Sequence, residues 1–193
     1  MLQDQPFLNI LLINILLGAV WHYAMFFLCI VKSSKTFSPH RKIFQPHKWE
    51  HEGRYYENVL KIKKWKDILP QHIGKDGFSK DHIDDVSLEY IDEFILETCR
   101  AEWDHSMNCL FAIVILLIND TIMGAALTLC LLLGNVPFVC IQRYNRFRLQ
   151  KFRKVIIKKQ ERERRRQLNI QKPDDTEKDN SENTAAAAVT EQI

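Results

Sequence analysis

The sequence predicts an all-α, small polytopic membrane protein with about three membrane helices. These are one anchor plus a helical hairpin, accompanied by interfacial helices and a disordered C-terminal tail. Three observations predict it. Phe7 to Val31 and Thr121 to Ile141 contain no Asp, Glu, Lys or Arg, and runs of about 20 apolar residues match a hydrocarbon core of about 30 Å. A second apolar run, Ser106 to Ile118, precedes the last one across the polar step Asn119-Asp120. Little apolar sequence is then left, in a chain of 193 residues, for a separate soluble core. The expected organisation is an anchor at 1–31, a cytoplasmic interfacial region at 32–84, a membrane hairpin at 85–149, a basic surface helix at 150–170 and a disordered tail at 171–193.

The first span is read as a retained anchor. It lacks a basic leading segment, its apolar run is too long, and no small-residue cleavage pattern follows. Asn14, Gly18, Trp21, His22 and Met25 share one helical face, and small and amide residues on one face suit packing against another membrane helix. Lys32, Lys35, Arg41, Lys42 and Lys48 follow with no acid among them. Positive residues favour the cytoplasmic side, so the N-terminus is expected outside and residues 32 to about 105 inside. The base-free Asn119-Asp120 turn then faces outward. The basic block after Ile141 returns the C-terminus to the cytoplasm.

Between the anchor and the hairpin, residues 43 to 70 mix aromatic and basic side chains: Phe44, Trp49, Tyr55, Tyr56, Trp65, Lys61, Lys63, Lys64 and Lys66. Such side chains favour the headgroup level, which predicts one or two short helices lying on the inner leaflet. His47 and His51 stand at i, i+4, but without a third ligand the spacing gives no metal site. Gln71 to His82 reads as a polar loop with a turn at Lys75-Asp76-Gly77. A helix is expected to start near Asp84, Asp85 or Ser87, each a good cap.

That helix carries the most informative pattern. Leu88, Ile91, Ile95 and Cys99 form one stripe at about 100° per residue. Glu102 falls in the middle of the stripe and His105 one turn further, while Arg100 points to the other face. A carboxylate on the apolar stripe faces the interior, where burial disfavours its charged form unless a cation compensates. Intramembrane ionisable groups are costly and mark sites. The thirteen residues from Ser106 to Ile118 are short for a crossing. The span either starts earlier, near Trp103, or forms a shallow hairpin. Both versions put the two feet of the hairpin at one boundary.

In the last span Gly124, Thr128, Leu131 and Asn135 share a face. Pro137 removes a backbone donor and is expected to kink or loosen the helix near Gly134-Asn135. Gln142-Arg143-Tyr144-Asn145-Arg146 follows at headgroup height, and guanidinium forks bind phosphate or carboxylate. Gln142 to Arg166 carries twelve Lys or Arg against two Glu, which favours anionic lipid headgroups by roughly 1 kcal/mol per cation. No nucleic-acid recognition motif accompanies that charge, so nucleic acid is not expected as a partner. Cys29, Cys99, Cys109, Cys130 and Cys140 form no CxxC pair or zinc spacing. They read as small apolar packing residues.

Three stretches together resemble the glycosyl-4,4'-diaponeurosporenoate acyltransferase family of staphyloxanthin-type carotenoid ester biosynthesis. They are Trp65-Lys66-Asp67 with its preceding basic-aromatic run; Glu97-Thr98-x-Arg100-Ala101-Glu102-x-x-His105; and Asn135-Val136-Pro137 followed by Gln142-Arg143-Tyr144-Asn145-Arg146-x-Arg148-Leu149. The resemblance covers roughly residues 43 to 150. It implies transfer of a fatty acyl group onto a sugar hydroxyl of a glycosylated carotenoid or related glycolipid at the cell membrane. The partners it implies are an acyl donor, a thioester or lipid, and a glycosylated acceptor. No cofactor or metal is expected.

The residues themselves lack Gly-x-Ser-x-Gly, a Cys nucleophile with a paired base, and the His-x4-Asp spacing of many acyltransferases. Direct attack by an acceptor hydroxyl is therefore expected. Glu102 and His105 are the candidate catalytic residues, either one as the base, at a spacing that makes them helix neighbours. Arg100, Asn135, Gln142, Arg143, Asn145 and Arg146 are the candidate substrate-binding residues. The competing reading is a non-catalytic membrane subunit or lipid-binding module with a polybasic anchor, in which Glu102 pairs structurally with Arg143.

Overall fold

A computed structural model describes residues 6–69, 87–119 and 121–171. Among them the secondary structure is entirely helical. Three helices, α1 (Phe7–Val31), α3 (Leu88–Ile118) and α4 (Ile122–Gln171), are each long and apolar enough to cross a membrane. A short helix, α2 (Arg54–Asn58), and several single turns connect the first span to the hairpin. The chain is a small polytopic membrane protein of the class expected. It divides into two units, residues 1–152 and 153–193.

Within the first unit α1 runs antiparallel to α3. Trp21 stacks on Phe111, with ring centroids 4.9 Å apart, and its indole N–H donates to Asn108 Oδ1 at 3.1 Å. One end of the pair is tied by a reciprocal amide contact. Asn14 Nδ2 donates to Asn119 Oδ1 at 2.9 Å and Asn119 Nδ2 donates to Asn14 Oδ1 at 2.8 Å. Each amide also donates to the carbonyl four residues before it, Ile10 or Ile115. The expected packing face of α1 thus holds at Asn14, Trp21 and Met25. Gly18 is different, since a Cβ there would meet nothing within 4 Å. The other apolar side chains of α1 are largely exposed, Leu16 and Phe27 among them, as suits a lipid-facing surface.

The hairpin closes through a tight contact. A Cβ on Gly124 would lie 2.2 Å from the backbone oxygen of Asn119, so only glycine allows this approach. The Thr121 hydroxyl accepts the Gly124 N–H at 3.2 Å. Below the turn Thr128 Oγ1 donates to the Ala112 carbonyl at 3.0 Å, which locks the face of α4 expected to pack inward. Ser87 caps α3, its hydroxyl accepting the Tyr90 N–H at 3.1 Å. α3 spans 31 residues. The thirteen-residue apolar run is its distal part.

α4 continues as a helix through Pro137. Asn135 Nδ2 donates to the Leu131 carbonyl at 2.7 Å. The basic segment expected as a separate surface helix is instead the continuation of α4 to Gln171. In the second unit its side chains are exposed from Lys158 to Ile170. The loop at 71–82 and the tail beyond 171 lie outside the described residues.

The region between the spans, residues 32–69, holds one short helix, α2, among single helical turns. The turns at Ser34–Phe37, Lys42–Phe44, Lys48–Gly53, Ile62–Lys64 and Lys66–Ile68 flank α2. Its aromatic residues pack inward as well as outward. Tyr56 and Ile62 form a buried cluster with Ile141, Tyr144 and Phe147 of α4, and Phe37 and Phe44 form another with Cys99 of α3. His51 and Glu52 adopt left-handed backbone angles, with φ of 47° and 56°, and Gly53 follows at 91°. Gly53 is required twice over, because a Cβ on it would also press on Phe147 at 3.1 Å. Left-handed non-glycine residues cost on the order of 1–2 kcal/mol each. They persist where the surroundings over-determine them. Here the contact with α4 and the bond from Lys151 Nζ to the Glu52 carbonyl, 2.9 Å, hold the turn.

Candidate active site

The feet of the hairpin meet under this cap. Arg143 sits at the centre and is buried. Its Nε and Nη2 donate to the two oxygens of Glu50, at 2.6 and 2.8 Å. Its Nη1 donates to Glu102 Oε1 at 2.6 Å. The remaining N–H groups reach the carbonyls of Ile43 and Gln45, at 3.3 and 3.1 Å. All five guanidinium donors are therefore used by the protein. Glu102 also stands against Arg146, whose Nη2 is 2.5 Å from Oε2. That contact is an ion pair by distance, but its angles leave Oε2 without a hydrogen-bond partner. Arg146 lies over the Phe44 ring, 5.6 Å from its centroid, and 3.5 Å from Cys99 Sγ.

Two carboxylates and two guanidiniums thus alternate: Glu50, Arg143, Glu102, Arg146. The alternation cancels their charges, which is what makes burial affordable. Glu50 is fully buried and accepts from the His47 N–H at 2.6 Å and the Tyr56 hydroxyl at 2.5 Å, besides Arg143. Burial by itself would raise its pKa, but the bonds from Arg143, His47 and Tyr56 outweigh it and hold the carboxyl below the usual carboxylate range. Burial, followed by the bond to Glu50, pushes the Tyr56 phenol well up. At the edge of the cap Glu57 is held low by its bond to Lys63 and then by that from Tyr144.

His105 lies one turn from Glu102 but does not bond to it. Its Nδ1 is 3.0 Å from Asn135 Oδ1, and its ring stacks on Phe138 at 4.8 Å. Because Asn135 spends its amide N–H on Leu131, the oxygen faces the imidazole. The oxygen can only accept, so Nδ1 carries the proton and the lone pair of the neutral ring is on Nε2.

The other expected site residues are distributed differently. Arg100 is not in the cluster. It pairs with Glu97 and lies over the Phe37 ring, 5.3 Å from the centroid, bordering a separate cavity with His22, Phe26 and Asp104. Gln142 and Asn145 are half-buried on α4. Among the described residues no three His, Cys, Asp or Glu stand close enough to share a metal. The one residue of the cluster that sequence reasoning missed is Glu50. Its signal was present: it is the first acid after five consecutive basic charges.

A cleft of about 420 Å³ opens between cap and hairpin, with Glu102 and Arg143 on one wall and Trp49, Tyr55 and Tyr56 on the other. The sequence model of the family glycosyl-4,4'-diaponeurosporenoate acyltransferase matches residues 40–155. This chain belongs to that family. The matched stretch contains Glu50, Glu102, His105, Asn135, Arg143 and Arg146, and leaves out α1 and the end of α4. Family members are acyltransferases, and this protein is one by membership. Among its relatives, a glycosyl-4,4'-diaponeurosporenoate acyltransferase of Staphylococcus aureus strain MRSA252 is 27% identical over 130 residues, 66% of this chain and 78% of the relative. The proteins of that name in strain Newman and in strain bovine RF122 / ET3-1 are 28% and 27% identical over 122 and 130 residues, covering 62% and 66% of this chain and 73% and 78% of theirs. No solved structure matches the chain.

Proposed function

We propose that this family member esterifies a sugar hydroxyl of a glycosylated carotenoid, or of a related glycolipid, with a fatty acyl group at a membrane surface. The observation that carries the catalytic assignment is the bond between His105 Nδ1 and Asn135 Oδ1. It leaves Nε2 as a proton acceptor, the relation of base and orienting group that activates weak nucleophiles in general. Glu102 is the poorer base of the two, because its carboxylate is already neutralised by two guanidiniums. Its role is to position the feet of the hairpin.

The reaction then runs as a direct transfer. His105 Nε2 takes the proton of the acceptor hydroxyl. The oxygen attacks the acyl carbonyl of a thioester or lipid ester, the new C–O bond forms, and the bond to the leaving group breaks as the imidazolium returns the proton to it. Gln142 and Asn145 are the amide donors left over for the oxyanion, since Arg143 has none to spare. Arg146 adds positive charge at the same foot, and Arg100 serves the α1 side of the hairpin. The N-terminus lies outside and the basic end of α4 on the cytoplasmic face, against anionic headgroups.

An acyl-transfer assay on purified membranes tests the assignment. His105→Ala abolishes transfer while the protein still accumulates in the membrane. Full activity of that variant would remove the imidazole from the mechanism.

A second reading is favoured by one feature, the complete internal use of Arg143. On that reading the cluster is a lock in a non-catalytic subunit or lipid-binding module. Exchanging charges, Glu102→Arg with Arg143→Glu, would then restore function that either single change removes. Because Glu102 and Arg143 position the hairpin on either reading, the deciding variant is His105→Ala, which leaves function intact only in the non-catalytic one.

A further inference from the structure

We propose that the cleft between cap and hairpin holds the sugar ring of the acceptor, with Trp49 and Tyr55 as the residues that select it. The inference rests on the acyl-transfer reading for the identity of the molecule that carries the sugar, but not for the chemistry of the cleft.

Its lining is aromatic on the cap side, with His47, Trp49, Tyr55 and Tyr56, and mixed on the hairpin side, with Val139, Glu102 and Arg143. The rings brace each other: His47 stacks on Trp49 at 6.1 Å, and Tyr55 meets Trp49 edge-on at 5.0 Å. Despite this bracing, Trp49 remains 49% exposed. A braced, half-open indole beside a polar wall is a platform for a molecule with one apolar and one polar face. A sugar ring is such a molecule. Its C–H face carries partial positive charge and suits the negative face of an aromatic ring, while its hydroxyls turn to the other wall.

An anion fits this cleft poorly. Arg143, the guanidinium on its wall, has all five donors occupied. Glu102, on the same wall, already takes up the charge of Arg143 and Arg146, which leaves no uncompensated positive charge there for a phosphate. The volume of about 420 Å³ is within the roughly 300–1,000 Å³ of small-molecule sites. It accommodates one ring without the long chain attached to it.

Position agrees with the chemistry. On α4, Asn135, Val139 and Arg143 follow one another at i, i+4 and i+8, on one stripe of the helix. Val139 borders the cleft, Arg143 lies at its wall, and Asn135 holds His105. The cleft is thus one helical turn from the imidazole. Val139 and Leu60 give its lining an apolar side along which a hydrocarbon tail leaves the polar wall.

The test uses the full chain in nanodiscs. Methyl glucoside and inorganic phosphate are titrated separately while tryptophan emission is followed. A saturable change with the glucoside, absent with phosphate and weakened in Tyr55→Ala, is expected. In the transfer assay Trp49→Ala raises the KM for the glycosylated acceptor about tenfold, moves the KM for the acyl donor little, and Trp49→Phe restores most of the affinity. Response to phosphate alone, or to neither probe, overturns the proposal, as does an acceptor KM insensitive to Trp49→Ala. If the wild-type protein binds the glucoside saturably yet transfers no acyl group, the subsite stands and the acyl-transfer reading falls.

Discussion

Glu102 and His105 are three residues apart on one helix face, yet their environments separate them. The carboxylate is committed to two guanidiniums, and the imidazole is committed to an amide on the opposite helix. On the proposed reading this divides labour between a group that holds the hairpin together and a group that moves a proton. His105→Ala should lower the transfer rate by about 10²–10⁴-fold with little change in thermal unfolding, measured on the same preparation. Arg143→Ala should act through stability, since removing one partner of a buried pair costs about 3–5 kcal/mol; loss of the folded protein in a detergent melt checks it. Glu50 makes the cap sensitive to acid. Its folded carboxyl lies below its unfolded value, so the stabilisation is fully present above the usual carboxylate range and is lost as pH falls through the lower, folded value. Near-UV circular dichroism of the cap aromatics against pH should show this loss, and Glu50→Gln should remove the transition.

At the scale of elements, the fold depends on two places where helices touch through small or amide residues. The Asn14–Asn119 pair joins α1 to the end of α3 next to the hairpin turn, with both amides buried. Hydrogen bonds between membrane helices average about 0.6 kcal/mol and reach about 1.7. Asn14→Leu should accordingly cost on that order, plus the unsatisfied Asn119 amide left behind, as read by detergent denaturation. Gly124 is the stricter position. An added methyl meets backbone rather than a movable side chain, so Gly124→Ala should open the turn at a cost of about 1–3 kcal/mol, and lower the midpoint in the same melt. The cap is a different kind of element. Single helical turns form weakly alone. Those here are held by Tyr56, Ile62, Phe37 and Phe44 packed against α3 and α4, and by Glu50 pinned to Arg143.

For the whole molecule, the expected arrangement of three spans and the family membership agree with each other. The family match begins at residue 40, after the anchor, so α1 is an addition to the matched region that packs on α3 through Trp21 and Asn14. The proposed orientation has a direct check. Single cysteines placed at residue 4 and at residue 38, in a background without the five native thiols, are labelled in intact cells by an impermeant reagent. Residue 4 should react at once and residue 38 only after permeabilisation. The reverse pattern would put the cap and its cleft outside.

By themselves the residues in order determined the spans, because charge-free runs and flanking bases are one-dimensional properties. The stripe that turned Glu102 inward, the inward faces of α1 and α4, and the family motifs were legible for the same reason. Of the partners, only the Glu102–Arg143 pair was among the expectations. That Glu50 reaches Arg143 across 93 positions and that Asn135 rather than Glu102 holds His105 depend on how the cap and the two arms of the hairpin pack, whereas the separate face of Arg100 already followed from the stripe. A spacing rule reports neighbours along one helix, whereas buried charges take whichever partner satisfies all their bonds at once. Only the packed tertiary structure decides which partner that is.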